Sequence, residues 1–211
     1  KGAEVSYARA LALAPGSSPV MDGAAVLAYK MGRLDEALDL GHRVLQQDPL
    51  SAAYWHNLGL TCHAAGLLNE SENAFRQAID LSQRRLLSAA MLSLVLLDQG
   101  KNDEALVMAD DEPEEFWRLW AKAIIFNTTG HNADSDNALA RMIKDHSYGD
   151  AYQIAEVHSM RGEIDEAFNW LERAFEDRDP GITHAKIDPR FRSLHEDPRW
   201  PRILNRIGFE I

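Results

Sequence analysis

The sequence predicts an all-α solenoid of about five stacked helix pairs, with a partial pair in front and a helical cap behind. Three observations predict it. A glycine followed by an acidic-then-small signature recurs five times, as GRLDEA from Gly32, GLLNES from Gly66, GKNDEA from Gly100, GHNADS from Gly130 and GEIDEA from Gly162. These glycines stand 34, 34, 30 and 32 residues apart, the spacing of a two-helix repeat. Pro15 and Pro49 keep the same 34-residue interval, each closing a helical segment.

The elements follow in order from that register. Residues 1–17 carry Tyr7, Ala10 and Pro15 and are the second helix of a truncated unit. Full units are expected at 18–51, 52–85, 86–115, 116–147 and 148–179. In the clearest copy, Trp55, Leu58, Gly59 and Cys62 share one helical face and Gly66 follows as a left-handed stop. Asp35 and Asn69 are expected to cap the second helices of their units. Those helices then present a small residue, an apolar knob and another small residue, as in Ser71, Phe75 and Ala78. The third unit is short by about one helical turn. Its second helix should end near Met108 or Ala109, in the acidic run from Asp110 to Glu115. That run reads as a solvated connector, as a bend in the stack, or as both.

The Trp…Leu-Gly…Gly…Ala…Phe…Ala pattern resembles the tetratricopeptide repeat, over almost the whole chain. Cys62 replaces the usual aromatic, and Gln83 stands where the closing proline would be. The resemblance implies a right-handed superhelix whose first helices line a concave face.

From Asp179 the repeat signature stops, and residues 180–211 read as a separate capping segment. Asp188-Pro189-Arg190-Phe191 and Asp197-Pro198-Arg199-Trp200 are two copies of one helix-start device. In each, aspartate caps, proline takes the first position and an aromatic turns inward. Leu194, Ile203, Leu204, Ile207 and Phe209 follow at helical spacing. This tail resembles the closing segment of tetratricopeptide regions in bacterial multidomain signalling proteins, which implies an N-terminal cyclase, kinase or winged-helix domain. The chain opens on Lys1 with no leader and reads as a fragment or a processed chain.

The whole chain has a formal charge of −11, and residues 184–211 carry +2, which leaves −13 for the remainder. Such a surface does not suit nucleic acid. The mildly basic tail is expected to dock on its own last repeat. No apolar run reaches the about 20 residues of a membrane span, and a cytoplasmic setting is expected. One cysteine excludes an internal disulfide. His56 and His63 lie two turns apart, about 10 Å, too far for one metal ion. Asp134-x-Asp136 lacks the glycine and closing glutamate of a calcium loop. No phosphate loop, nucleophile elbow or zinc-ligand spacing occurs, so no enzyme, cofactor or metal is expected.

The expected function is protein or peptide binding on the concave face. The chosen lining residues are Tyr29, His56, Asn57, Leu60, His63, Leu94, Trp117, Trp120, Ile124 and Tyr152, flanked by Val26, Lys30, Met91, Leu97, Asn127, Gln153, Glu156 and Ser159. Asn57 matches one position of the family's carboxylate clamp, but its basic partners are missing. An apolar, aromatic groove suits an amphipathic helix or an extended apolar segment. A second copy of the chain, giving a homodimer, is the alternative occupant. A regulatory region for a signalling domain is the other alternative.

Overall fold

The computed structural model describes residues 2–82, 87–146 and 149–209. The described residues are helical nearly throughout and contain no strand. After α1 (Gly2–Leu13), helices pack as neighbours in sequence: α2 (Ser18–Lys30) on α3 (Leu34–Gln47), and α4 (Ala52–Ala64) on α5 (Leu68–Ser82). Then α6 (Ser88–Asp98) packs on α7 (Asn102–Asp110), α8 (Glu115–Thr128) on α9 (Asn132–His146), and α10 (Ala151–Met160) on α11 (Ile164–Glu176). Two 3-10 turns, Pro180–His184 and Pro189–Leu194, lead to α12 (Arg199–Ile207). Gln83 and the boundaries drawn at 85 and 148 lie outside the described residues. No described helix is long and apolar enough to cross a membrane.

The five signature glycines make the five turns. Gly32, Gly66, Gly100, Gly130 and Gly162 all have φ between +74° and +82°, where a Cβ is strained. The residue after each donates its N–H to the carbonyl five positions back, as Leu67 does to Cys62 at 2.9 Å and Lys101 to Leu96 at 2.9 Å. This closes the first helix. It also starts the second helix at once, which corrects the expected caps. α3 begins at Leu34 with no side-chain cap, so Asp35 already lies in its first turn. α5 begins at Leu68 and takes Asn69 inside it in the same way.

Small residues let the two helices of a pair touch. Ser71 Oγ donates to Gly59 O and Ser135 Oγ to Ala123 O, both at 2.8 Å and fully buried. A Cβ at Gly59 would stand 2.8 Å from the Phe75 ring, so this glycine is set by packing.

The acidic run is not wholly solvated. α7 ends at Asp110, and Glu112 then turns inward to 1% exposure. Its carboxylate accepts from Ala90 N and from Glu114 N, each at 3.2 Å. It thereby serves one orphan N–H at the start of α6 and the N–H of Glu114, which precedes α8. Burial raises the Glu112 carboxyl pKa, and these hydrogen bonds oppose the rise.

The tail continues the stack. Arg190 pairs with Glu156, Arg199 with Asp165 and Arg206 with Glu172, every pair 34 residues apart. Ser193 and Ser159, also 34 apart, meet at 2.9 Å. The turn at Pro189–Leu194 packs on α10, and α12 packs on α11. The repeat signature ends at Asp179 but its spacing does not: the cap sits as a degenerate sixth unit. Phe191 and Leu194 are fully buried, and Trp200, Ile203, Leu204 and Phe209 complete that core with Phe168 and Leu171.

Candidate functional site

The candidate site is built where the tail crosses the first helices of the pairs, α2, α4, α6, α8 and α10. Asp179, Asp188 and Asp197 each precede a proline and accept from the backbone N–H two residues on, at 2.8, 2.9 and 2.8 Å. The first of these copies escaped the sequence reading, because glycine rather than arginine follows its proline. Each fixed turn aims its neighbours. Tyr152 N donates to Asp179 at 2.9 Å, and Tyr152 Oη donates to Asp188 at 2.8 Å. Ser159 Oγ donates to Arg190 O at 2.7 Å.

Arg190 is the centre of the crossing. Its Nε lies 3.1 Å from Glu156 and 3.0 Å from Asp188, and its guanidinium lies over the Trp120 ring at 5.1 Å. Burial disfavours the Asp188 carboxylate, but Arg190 and the hydrogen bonds it receives outweigh that and hold its pKa well below the usual range. For Glu156 burial dominates, and the carboxyl is pushed well above its ordinary value despite Arg190. One carboxylate therefore neutralises the arginine, while the other favours keeping its proton.

Beyond Arg190 the tail reaches the first helix pair. Lys30 Nζ donates to Thr183 Oγ1 at 2.9 Å, and the His184 ring meets Tyr29 edge-on at 5.6 Å. The Ile187 side chain packs beside Gly32, where a Cβ would stand 3.4 Å from it, in ordinary contact. The first helix pair and the tail are thus bridged across the intervening first helices.

This crossing corrects the expected exposure of the lining. Tyr29, His63, Leu94, Trp120, Ile124 and Tyr152 are all buried, at 2–7% exposure. Met91, Leu97, Glu156 and Ser159 are buried with them. The stacked first helices pack side by side, and the tail covers what remains. His56, Asn57, Leu60 and Trp117 stay half-buried, as do Val26, Lys30, Asn127 and Gln153.

Two cavities flank the tail. One of about 410 Å³ is bounded by His63, Leu94, Leu97, Ile124, Pro189 and Arg192. The other, of about 350 Å³, gathers Tyr29, His56, Asn57, Leu60, Trp117, Trp120 and Tyr152. A smaller hollow of about 230 Å³ continues it toward Val26 and Tyr54. So the structure brings seven chosen residues to one cavity and sets His63, Leu94 and Ile124 on the other side of the tail. Trp117 and Trp120 meet edge to face at 5.6 Å.

The histidines are held by neighbours. His56 Nδ1 lies 2.8 Å from Ser88 Oγ, and His63 Nε2 lies 2.6 Å from Asp98. Burial lowers the His56 pKa to about 4. Burial, with Lys30 and Arg190 adding to it, lowers that of His184 to about 4. Asn57 donates to both oxygens of Asp22, at 3.0 and 3.2 Å. Cys62 is fully buried, and desolvation pushes its thiol up to about 12, which suits a packing residue and not a nucleophile. Among the described residues no cluster of His, Cys, Asp or Glu could hold a metal ion.

Residues 52–85 match the tetratricopeptide repeat family. No curated protein matches the sequence at a significant level. Among solved structures, TTC0263, a thermophilic TPR protein of Thermus thermophilus, is 20% identical, with TM-score 0.62 over 90% of this chain and 100% of its own. PilW, a type IV pilus biogenesis factor, is 12% identical with TM-score 0.56, over 92% of this chain and 94% of its own. YrrB, described as a TPR protein with an unusual peptide-binding site, is 16% identical with TM-score 0.53, over 85% of this chain and 97% of its own. The fold is a tetratricopeptide solenoid.

Proposed function

We propose that this tetratricopeptide solenoid is a non-catalytic interaction module that holds a protein or peptide segment on its concave face. The observation that carries the reading is the tail itself: a stretch of chain outside the helix pairs, 180–194, already lies across that face, anchored by Phe191, Leu194 and Arg190. A surface that seats such a segment of its own chain has the depth and the mixture of rings and hydrogen-bonding groups to seat another. The half-buried residues beside the tail, His56, Asn57, Leu60 and Trp117, form the part left for a partner. An aromatic or leucine side chain buried against Leu60 and Trp117 would contribute about 1.5–3 kcal/mol, so a few anchors of this kind decide which partner is held.

The test is a native-lysate capture with the wild-type chain and a Leu60→Asp variant, both checked for helix content by circular dichroism. A partner retained by the wild type and lost by the variant supports the groove. Equal retention by both moves the contact elsewhere, to the outer face or α1. Recovery of the chain itself as the partner would replace this reading by self-association.

A further inference from the structure

Gly41 breaks the repeat at a position where the other units place a core residue. It stands nine residues after its turn glycine, as Phe75, Ala109, Leu139 and Leu171 stand after theirs. Those four are buried, whereas Gly41 is half-buried in the middle of α3. Glycine inside a helix is destabilising, and here it opens the hollow of about 230 Å³ between α2, α3 and α4. Leu58 takes only part of the space: a Cβ on Gly41 would stand 3.3 Å from Leu58 Cδ1. The remaining lining joins apolar groups, Ala25, Val44 and Leu58 among them, to one carboxylate, that of Asp22.

We propose that this hollow is the anchor pocket for a lysine side chain of the partner segment, its methylene stem lying along Gly41 and its ammonium meeting Asp22. The carboxylate is half-buried, and among the described residues no cation pairs with it. Its hydrogen bonds come from Asn57, at 3.0 and 3.2 Å, while a carboxylate accepts about four, so capacity remains. Burial disfavours its ionised form, with Asn57 opposing, and an incoming ammonium would offset that cost. The other titratable groups on the wall leave this end to a cation. Lys30 stands eight residues further along α2, about 12 Å of rise, and its Nζ donates to Thr183 at 2.9 Å. His184 is neutral at pH 7, its pKa lowered by burial to about 4. The Tyr29 and Tyr54 rings also line the hollow, and aromatic faces favour an ammonium. The volume falls below the about 300–1,000 Å³ of small-molecule pockets and suits one side chain. Lysine fits better than arginine, because Asn57 already holds both Asp22 oxygens and a planar fork needs both for itself.

The inference deepens the groove reading and rests on it for the source of the lysine. Charge agrees with that source: the chain before residue 184 carries −13, which favours a basic segment. A lysine stem buried along an apolar wall with its charged head at the polar end is also the usual way this side chain is held.

The probe is lysine capped as its N-acetyl methylamide, with the capped norleucine analogue, which keeps the stem and lacks the charge, as control. Each is titrated into the full chain labelled with nitrogen-15 and carbon-13, following the assigned backbone amides of Val26, Gly41 and Leu58. Capped lysine is expected to move them saturably, with a dissociation constant of about 1 mM, the scale for about fourteen non-hydrogen atoms. Capped norleucine should bind at least about tenfold more weakly, as should capped lysine to Asp22→Asn. Gly41→Leu supplies the residue found at the equivalent Leu139 and Leu171, so it should keep a dispersed spectrum and lose the saturable shift at Val26 and Leu58. No saturable shift in the wild type overturns the pocket. Equal binding of capped norleucine overturns the ammonium, and unchanged binding by both variants overturns the placement. Gly41→Leu also joins Leu60→Asp in the lysate capture. A partner lost by Leu60→Asp but kept by Gly41→Leu leaves the groove reading standing and overturns this pocket, whereas capped-lysine binding with nothing captured supports the pocket and removes only the partner.

Discussion

Removing the Arg190 guanidinium tests the account of the tail most directly. Arg190 Nε lies 3.0 Å from Asp188 and 3.1 Å from Glu156, with side-chain exposures of 13%, 2% and 2%. At an effective dielectric of about 20, a unit pair at about 3 Å attracts by about 5 kcal/mol before desolvation is counted. Breaking one partner out of a buried pair costs about 3–5 kcal/mol in practice, because a charge is left unpaired. Here the cost should fall at the lower end, about 3 kcal/mol, by two routes. Glu156 already favours its neutral form, and Asp188 keeps hydrogen bonds from Tyr152 Oη and from the backbone N–H of residue 190. The variant is Arg190→Leu, and the assay is amide hydrogen exchange in α10 and the tail beside urea unfolding. Exchange is needed because a repeat array can lose its last unit without unfolding the rest. Protection at Phe191 and Leu194 should fall by the full amount, while α4 and α5 stay protected. Adding Glu156→Leu should return part of the loss, since it removes a buried carboxyl that has lost its guanidinium partner. A loss below about 1 kcal/mol, or a double variant no better than the single, would refute the description of this cluster as a mutually dependent charge network.

Four further outcomes are expected. Gly59→Ala should destabilise by up to about 2 kcal/mol in thermal unfolding, because overpacking at about 1–3 kcal/mol offsets or exceeds the about 1 kcal/mol of helix propensity it gains; a stabilised variant would mean that the Phe75 ring, 2.8 Å from the new Cβ, yields freely. Gly100→Ala meets no neighbour within 4 Å but has φ of +77°, so its loss of about 1 kcal/mol should be pure backbone strain and be partly recovered by Gly100→Asn. His56 and His184 have folded pKa values lowered to about 4 from 6.5, so the unfolded chain binds more protons between those values and stability falls as pH drops from 6.5 toward 4. Urea midpoints measured at neutral pH and about one and a half units below the ordinary histidine value should therefore differ more in the wild type than in His56→Gln, His184→Gln, and equal differences would show that the imidazoles are not buried neutral. Phe191→Ala should cost about 3–5 kcal/mol by emptying a fully buried site, whereas Arg199→Ala and Arg206→Ala, both at exposed ion pairs, should leave the urea midpoint nearly unchanged.

The helix pairs were legible because their turns are fixed by local chemistry. A residue with positive φ after a helix is nearly always glycine, so five glycines at repeat spacing mark five helix ends. Cys62 and Phe75 were legible as core for a similar reason, since periodicity alone sets which face they take. The caps were misread for want of one structural fact, that the glycine turn enters the next helix without a capping residue. Glu112 was misread because acidic runs are usually solvated, and nothing local signals that one member turns back to the start of a helix 22 residues earlier.

The groove was legible as a place but not as a surface. Register alone brings Tyr29, His56, Asn57, Leu60, Trp117, Trp120 and Tyr152 to one cavity, yet register cannot say what covers them. The cover comes from a segment whose contacts with Tyr29 and Lys30 span 155 and 153 residues. A trace of it was nevertheless present in the sequence. Arg190, Arg199 and Arg206 each follow by 34 residues an acidic residue of the last repeat, Glu156, Asp165 and Glu172. Opposite charges one repeat apart are what stacking in register requires, since equivalent positions of adjacent units stand side by side. The exposed pairs contribute little energy, so their role is to choose the register, while Phe191, Leu194 and Trp200 supply the burial. Counting charge by repeat period instead of by segment would have turned the tail's net +2 into three named contacts, and with them the prediction that the tail stacks as a sixth unit.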